Sequence, residues 1–333
     1  MKKSNLVFGI GGAALAAIAV KMLTRAKSVV WENIADKVIH SENSRFVNVD
    51  GAKVHYQEFG DPAKPTLVLI HGFPASTYVW NTTAPKLAKY GFHVIAVDLL
   101  GFGYSEKPKW FDYSIQSQAR QISRLMNRLG IGRATVVGSS YGGAVAAILA
   151  LDYPERVEKL VLVDAVCNDD LKNHPVLRLG AMRGIGELIT PFLVDSKAYL
   201  RFRMHGTLAK ANHHLITADR IASVHRPLKA ADAHHSVLAT SRNWHANRIE
   251  QDAYLINQPT LIIWGEQDKV IPIRNGYKLH ELILNSRFVV LKNCGHVPQE
   301  EKSELFAELV TEFCRDQKGR IKAKESEEMR FES

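Results

Sequence analysis

The chain has 333 residues, of which 46% are hydrophobic and 23% charged, with a formal net charge of +9. That composition suits a globular protein able to bury a sheet-centred core and excludes a largely disordered chain. The positive excess is spread along the chain without zinc-finger spacing or an RNA-binding aromatic motif, so no nucleic-acid partner is expected.

Residues 1–27 differ in kind from the rest. Met1-Lys2-Lys3-Ser4-Asn5 precedes an apolar run from Leu6 to Val20, and Lys21, Arg25 and Lys27 follow it. The run falls short of the roughly twenty residues of a membrane span, but a snorkelling Lys21 lets Met22 and Leu23 extend it. This reads as a hydrophobic anchor that attaches the protein to a membrane by a single N-terminal segment. The rival is a cleaved signal peptide with Ala17-Ile18-Ala19 as its small-residue cleavage site, which leaves the protein secreted or periplasmic.

From Ser44 the pattern is that of alternating strands and helices. Phe46–Val49 and Val54–Tyr56 are strands joined by an Asp50-Gly51 turn. Pro65–Ile70, His93–Asp98, Ala134–Gly138 and Lys159–Asp164 are continuous apolar runs, as expected of strands buried on both faces. Ser114–Leu129 carries apolar residues at helical spacing. The alternation predicts an α/β fold with a mostly parallel sheet covered by helices on both faces.

From Cys167 to Asp252 no buried-strand run appears, and helical stretches are punctuated by Pro175, Gly180, Pro191 and Pro227. Strands resume at Pro259–Gly265 and Arg287–Leu291, followed by a helix from Ser303 to Cys314. The predicted organisation is therefore a core of residues 44–166 and 253–315, a helical cap of residues 167–252, and a charged tail of residues 316–333. The cap holds eight of the 14 histidines: His174, His205, His213, His214, His225, His234, His235 and His245. Without carboxylate or cysteine partners at ligand spacing they read as solvent-facing, and no metal is expected. Leu177, Leu179, Met182, Ile185, Leu188, Ile189, Phe192 and Leu193 either line an apolar pocket or form the cap's own core. The three cysteines, Cys167, Cys294 and Cys314, are too scattered for a disulfide framework or a metal site.

Gly138-Ser139-Ser140-Tyr141-Gly142 fits G-x-S-x-G between a strand and a helix, the context in which a nucleophilic serine sits on a strained turn at a helix N-terminus. His71-Gly72-Phe73-Pro74 follows the strand ending at Ile70. Its turn can aim the Phe73 amide at a developing oxyanion, with the Tyr141 amide as second donor. His296, in Asn293-Cys294-Gly295-His296-Val297-Pro298, lies beyond another strand end. Asp268 lies beyond a third and is the leading carboxylate to orient His296, with Glu266 and Asp164 as rivals. The chain order Ser140, Asp268, His296 is that of the hydrolase triad.

With these residues the chain resembles the α/β-hydrolase superfamily over roughly Ser44 to Cys314, including the cap position. It is most similar to the branch of esterases, monoacylglycerol-type lipases, carbon–carbon-bond hydrolases, cofactor-free haloperoxidases, epoxide hydrolases and haloalkane dehalogenases. The loop Asp98-Leu99-Leu100-Gly101-Phe102-Gly103-Tyr104-Ser105 and the run Tyr153–Val157 add to the likeness. Epoxide hydrolases and dehalogenases carry aspartate at the elbow, so Ser140 argues against both activities and for an acyl-enzyme. The resemblance implies a catalytic Ser140, Asp268 and His296 and neither metal nor organic cofactor. It also implies a small-molecule ester substrate, a lipid ester if the anchor holds the cap near a bilayer. Carbon–carbon-bond hydrolysis or haloperoxidase/perhydrolase chemistry is the alternative within enzymes. A non-catalytic, membrane-tethered ligand-binding protein is the alternative outside them, and an intact triad argues against it.

Overall fold

A computed structural model of the chain describes residues 31–173, 178 and 180–316. The expected anchor, most of the charged tail, and His174, Leu177 and Leu179 lie outside the described residues. Among the described residues, no helix is long and apolar enough to cross a membrane.

Among the described residues eight strands form one sheet: β1 (Ser44–Val49), β2 (Ala52–Phe59), β3 (Thr66–Ile70), β4 (His93–Val97), β5 (Ala134–Ser139), β6 (Val157–Val163), β7 (Thr260–Gly265) and β8 (Ser286–Leu291). Their order is β1-β2-β4-β3-β5-β6-β7-β8. The β1–β2 and β2–β4 pairs are antiparallel, and every later pair is parallel. The hairpin turns where expected, with Asp50 at φ 52° and Gly51 at φ 85°.

Both faces of the parallel strands are covered, which explains their unbroken apolar runs. Val68, Ile70, Val136, Leu160 and Leu162 face one core with the helices α2 (Ile115–Arg128) and α3 (Tyr141–Asp152). Leu67, Leu69, Val137, Val161 and Val163 face the other. There they meet α1 (Thr83–Lys89) and the last helix through Leu87, Phe306 and Val310. Ser114 caps α2, its hydroxyl accepting the Ser117 amide at 3.2 Å.

Between β6 and β7 stand α4 (Ile185–Val194), α5 (Lys197–Thr207), α6 (Ala218–Leu228), α7 (Ala233–Arg242) and α8 (Asn247–Asp252). After them come α9 (Arg274–Leu282), α10 (Pro298–Glu301) and α11 (Ser303–Arg315). Two expectations for the inserted segment need correcting. Met182, Ile185 and Leu188 are exposed, so these three are not part of a buried cap core. His225 and His234 are buried rather than solvent-facing, because both bond Asp195: His225 Nε2 meets its carbonyl at 2.7 Å and His234 Nε2 its carboxylate at 2.9 Å.

Candidate active site

Parallel strands end on a common edge, and the loops after β5, β6, β7 and β8 there carry Ser140, Asp164, Asp268 and His296. Ser140 takes φ 56° and ψ −118°, a left-handed conformation costly for a residue with a side chain. Helix α3 begins at the next residue, Tyr141, whose amide therefore has no intrahelical acceptor. The turn is held from β6: the Ser140 amide donates to Val163 O at 2.8 Å, and Ser140 O accepts the Val166 amide at 3.0 Å.

Packing explains the neighbouring small residues. A Cβ on Gly142 would collide with the carbonyls of Ile70 and His71, so glycine is what lets α3 start against the end of β3. A Cβ on Gly72 would lie 3.0 Å from Ser140 Cβ, so the His71–Pro74 turn abuts the serine.

His71 fixes that turn. Its Nε2 accepts the Leu99 amide at 3.1 Å, which leaves the proton on Nδ1 to donate to Gly72 O at 2.7 Å. Burial pushes the His71 pKa down and keeps the ring neutral. Asp98, fully buried beside it, accepts the Thr77 amide at 2.6 Å, the Tyr104 amide at 2.8 Å and His55 Nδ1 at 2.7 Å. Burial alone would raise the Asp98 pKa, but the interaction and hydrogen bond with His55 and the bond from the Tyr104 amide outweigh it and hold it low. The Asp98–Ser105 loop is thus a buried brace behind the Phe73 turn.

Of the three candidate carboxylates, it is Asp268 that bonds His296. His296 Nδ1 meets Asp268 Oδ2 at 2.8 Å. Asp268 Oδ1 accepts the amides of Val270 at 2.7 Å and Ile271 at 3.1 Å, which locks the carboxylate toward the ring. Glu266 is exposed and turned to the Asn293 amide. Asp164 is fully buried and accepts the Gly265 amide at 2.9 Å. Asp164, Asp268 and His296 each place one potential ligand atom within 4.8 Å of the others, and Asp268 and His296 bond each other.

Several contacts of this site escaped sequence reasoning. The His296 amide donates to Thr207 O, in the insertion, at 2.8 Å. Glu301 accepts the Gly295 amide at 2.9 Å through one oxygen. Its other oxygen takes the Ala209 amide at 2.8 Å and Asn212 Nδ2 at 2.7 Å. Arg220 on α6 pairs with Glu300 at 2.8 Å, where the Glu300 side chain is 6% exposed. Gln299 Nε2 reaches Ser139 Oγ at 3.3 Å and joins the histidine loop to the elbow. Trp244, buried, places its ring 5.8 Å from that of Phe73 and 5.1 Å from that of Tyr141. The only sequence signal was the position of Glu301, five residues after His296 in a helix opened by Pro298.

Residues 65–303 match the model of the alpha/beta hydrolase fold family. The chain belongs to the α/β-hydrolase family. This hydrolase is 28% identical to the 2-hydroxy-6-oxo-2,4-heptadienoate hydrolase of Pseudomonas putida, over 83% of this chain and 97% of that one. It is 29% identical to Lipase 3 of a Moraxella species, over 88% of this chain and 93% of that one. Among solved structures it is similar to a membrane phospholipase A, with a TM-score of 0.64 and 27% identity over 92% of this chain and 97% of that one.

Proposed function

We propose that this hydrolase cleaves carboxylic esters of lipophilic acids through an acyl-enzyme on Ser140. The observation that carries the reading is the serine held at φ 56° on the strand-end edge that also bears the His296–Asp268 pair. His296 Nε2 takes the Ser140 proton as Oγ attacks the carbonyl, and the Phe73 and Tyr141 amides receive the oxyanion. The imidazolium, steadied by Asp268, returns the proton to the leaving alcohol. Water deprotonated by His296 then releases the acid.

Two features favour a neutral, apolar ester. The Trp244 ring packs on Phe73 and Tyr141, so an aromatic wall stands beside the proposed oxyanion site. The buried insertion arginine, Arg220, is neutralised by Glu300. The Pseudomonas relative's substrate is by its name a carboxylate, which a free buried cation would suit better. Similarity to Lipase 3 and to a membrane phospholipase A points the same way, and the Leu6–Val20 run would hold the enzyme at a membrane. Carbon–carbon-bond hydrolysis is the second reading, favoured by the Pseudomonas relative.

A fluorophosphonate probe and a series of p-nitrophenyl esters test the proposal. Labelling should disappear in Ser140→Ala, and long-chain esters should be turned over faster than short ones. Labelling that persists in the variant overturns the nucleophile, and a strict short-chain preference overturns the lipophilic acyl group. Turnover of a vinylogous diketone far above that of any ester would select the second reading.

A further inference from the structure

Asp164 ends β6, between the strands that lead to Ser140 and to Asp268. It is 0% exposed and adopts φ 42°. Its Oδ1 accepts the Gly265 amide at 2.9 Å, while Oδ2 is buried and accepts no N–H among the described residues. The neighbours of this carboxyl are acidic: an oxygen of Asp268 lies within 4.8 Å of one of its own, and Glu301 follows on the helix beyond. His296, which can carry a positive charge, is bonded to Asp268 instead. Two ionised carboxylates this close, one with a bare buried oxygen, would repel without compensation. A proton on Asp164 removes the repulsion and supplies the donor that Oδ2 otherwise lacks.

We infer that Asp164 is a neutral carboxylic acid whose Oδ2–H donates to the Asp268 carboxylate, so that it positions Asp268 and moderates the pull of Asp268 on the His296 proton. Burial, and then the charge of Asp268, push the Asp164 pKa well above the usual carboxylate range, in keeping with the geometry. This inference rests on the reading of Ser140, Asp268 and His296 as an acyl-transfer site. It adds a positioning residue to that site rather than a fourth catalytic one.

The sign of the effect separates the alternatives. The acid limb of kcat/KM reports the histidine of the free enzyme. In Asp164→Leu the donor to Asp268 is lost, the imidazolium is better stabilised, and the limb should move up. At pH 7 kcat/KM should fall about tenfold. In Asp164→Asn one neutral donor replaces another, so the limb should stay close to that of the wild type. A downward move in Asp164→Asn would mean that a negative charge had been removed, and would overturn the neutral acid. An unmoved limb in Asp164→Leu would overturn the positioning role. An activity-independent check is the infrared band of a protonated carboxyl group, present in the wild-type protein at neutral pH and lost in Asp164→Asn. Its absence from the wild type overturns the inference. Failure to hydrolyse esters while that band is present would overturn the proposed function and leave the carboxyl pair standing.

Discussion

The backbone amide of His296 donates to the carbonyl of Thr207 at 2.8 Å, so the histidine loop hangs from the inserted helices as well as from the sheet. Glu301 doubles that tie, accepting donors from Gly295 on one side and from Ala209 and Asn212 on the other. Movement of the insertion is therefore mechanically coupled to His296.

Glu301→Ala should lower kcat/KM about 10- to 100-fold, since small misplacements of a reacting group are costly. It leaves buried donors unsatisfied at about 1–3 kcal/mol, so urea denaturation should show a lower midpoint. An unchanged rate in a destabilised variant would sever the proposed coupling.

Asp268→Asn should reduce kcat by about 10³–10⁴ without unfolding the protein, because the imidazole loses its orienting carboxylate. Glu266→Gln should leave kcat near the wild-type value, since that side chain is exposed and turned to Asn293. Steady-state kinetics on one long-chain ester, with circular dichroism as a check on folding, decide between the two carboxylates.

Ser140→Gly should be inactive yet more stable than the wild type by about 1 kcal/mol. The left-handed backbone at φ 56° stores strain of about 1–3 kcal/mol, partly offset by the greater unfolded freedom of glycine, about 0.5–1 kcal/mol. Ser140→Ala keeps a Cβ and should show no such gain. Parallel urea titrations of the two variants measure the difference.

Asp164 also predicts a pH dependence of stability. Its folded-state pKa is raised, first by burial and then by Asp268. In the unfolded chain the same carboxyl loses its proton near pH 3.9. Above that pH the unfolded state binds fewer protons, so this group's contribution is present at low pH and is lost as pH rises toward the folded value, at about 1.4 kcal/mol per unit. Asp164→Asn is free of the effect. Its stability relative to wild type should grow from pH 4 to pH 7, and a constant difference across that range would contradict the raised value.

Much of this molecule was legible from local patterns. Unbroken apolar runs such as Leu67–Ile70 and Val161–Val163 predict strands covered on both faces, and they are so covered because neighbouring residues face opposite cores. The elbow was legible for a similar reason: its constraint is steric and local, since Ser140 needs small neighbours where α3 meets β3. What the order of residues left open was the choice among Asp268, Glu266 and Asp164, because all three stand just beyond strand ends. Which of them bonds His296 is a matter of tertiary structure. The Val270 and Ile271 amides turn Asp268 toward His296, Glu266 is exposed and turned to Asn293, and Asp164 is fully buried. The ties from Glu301 to Ala209 and Asn212 were equally hidden, since about ninety residues separate the partners. Periodicity and steric demand act along the chain and can be read there; hydrogen bonds between distant loops exist only once the sheet has brought those loops to one edge.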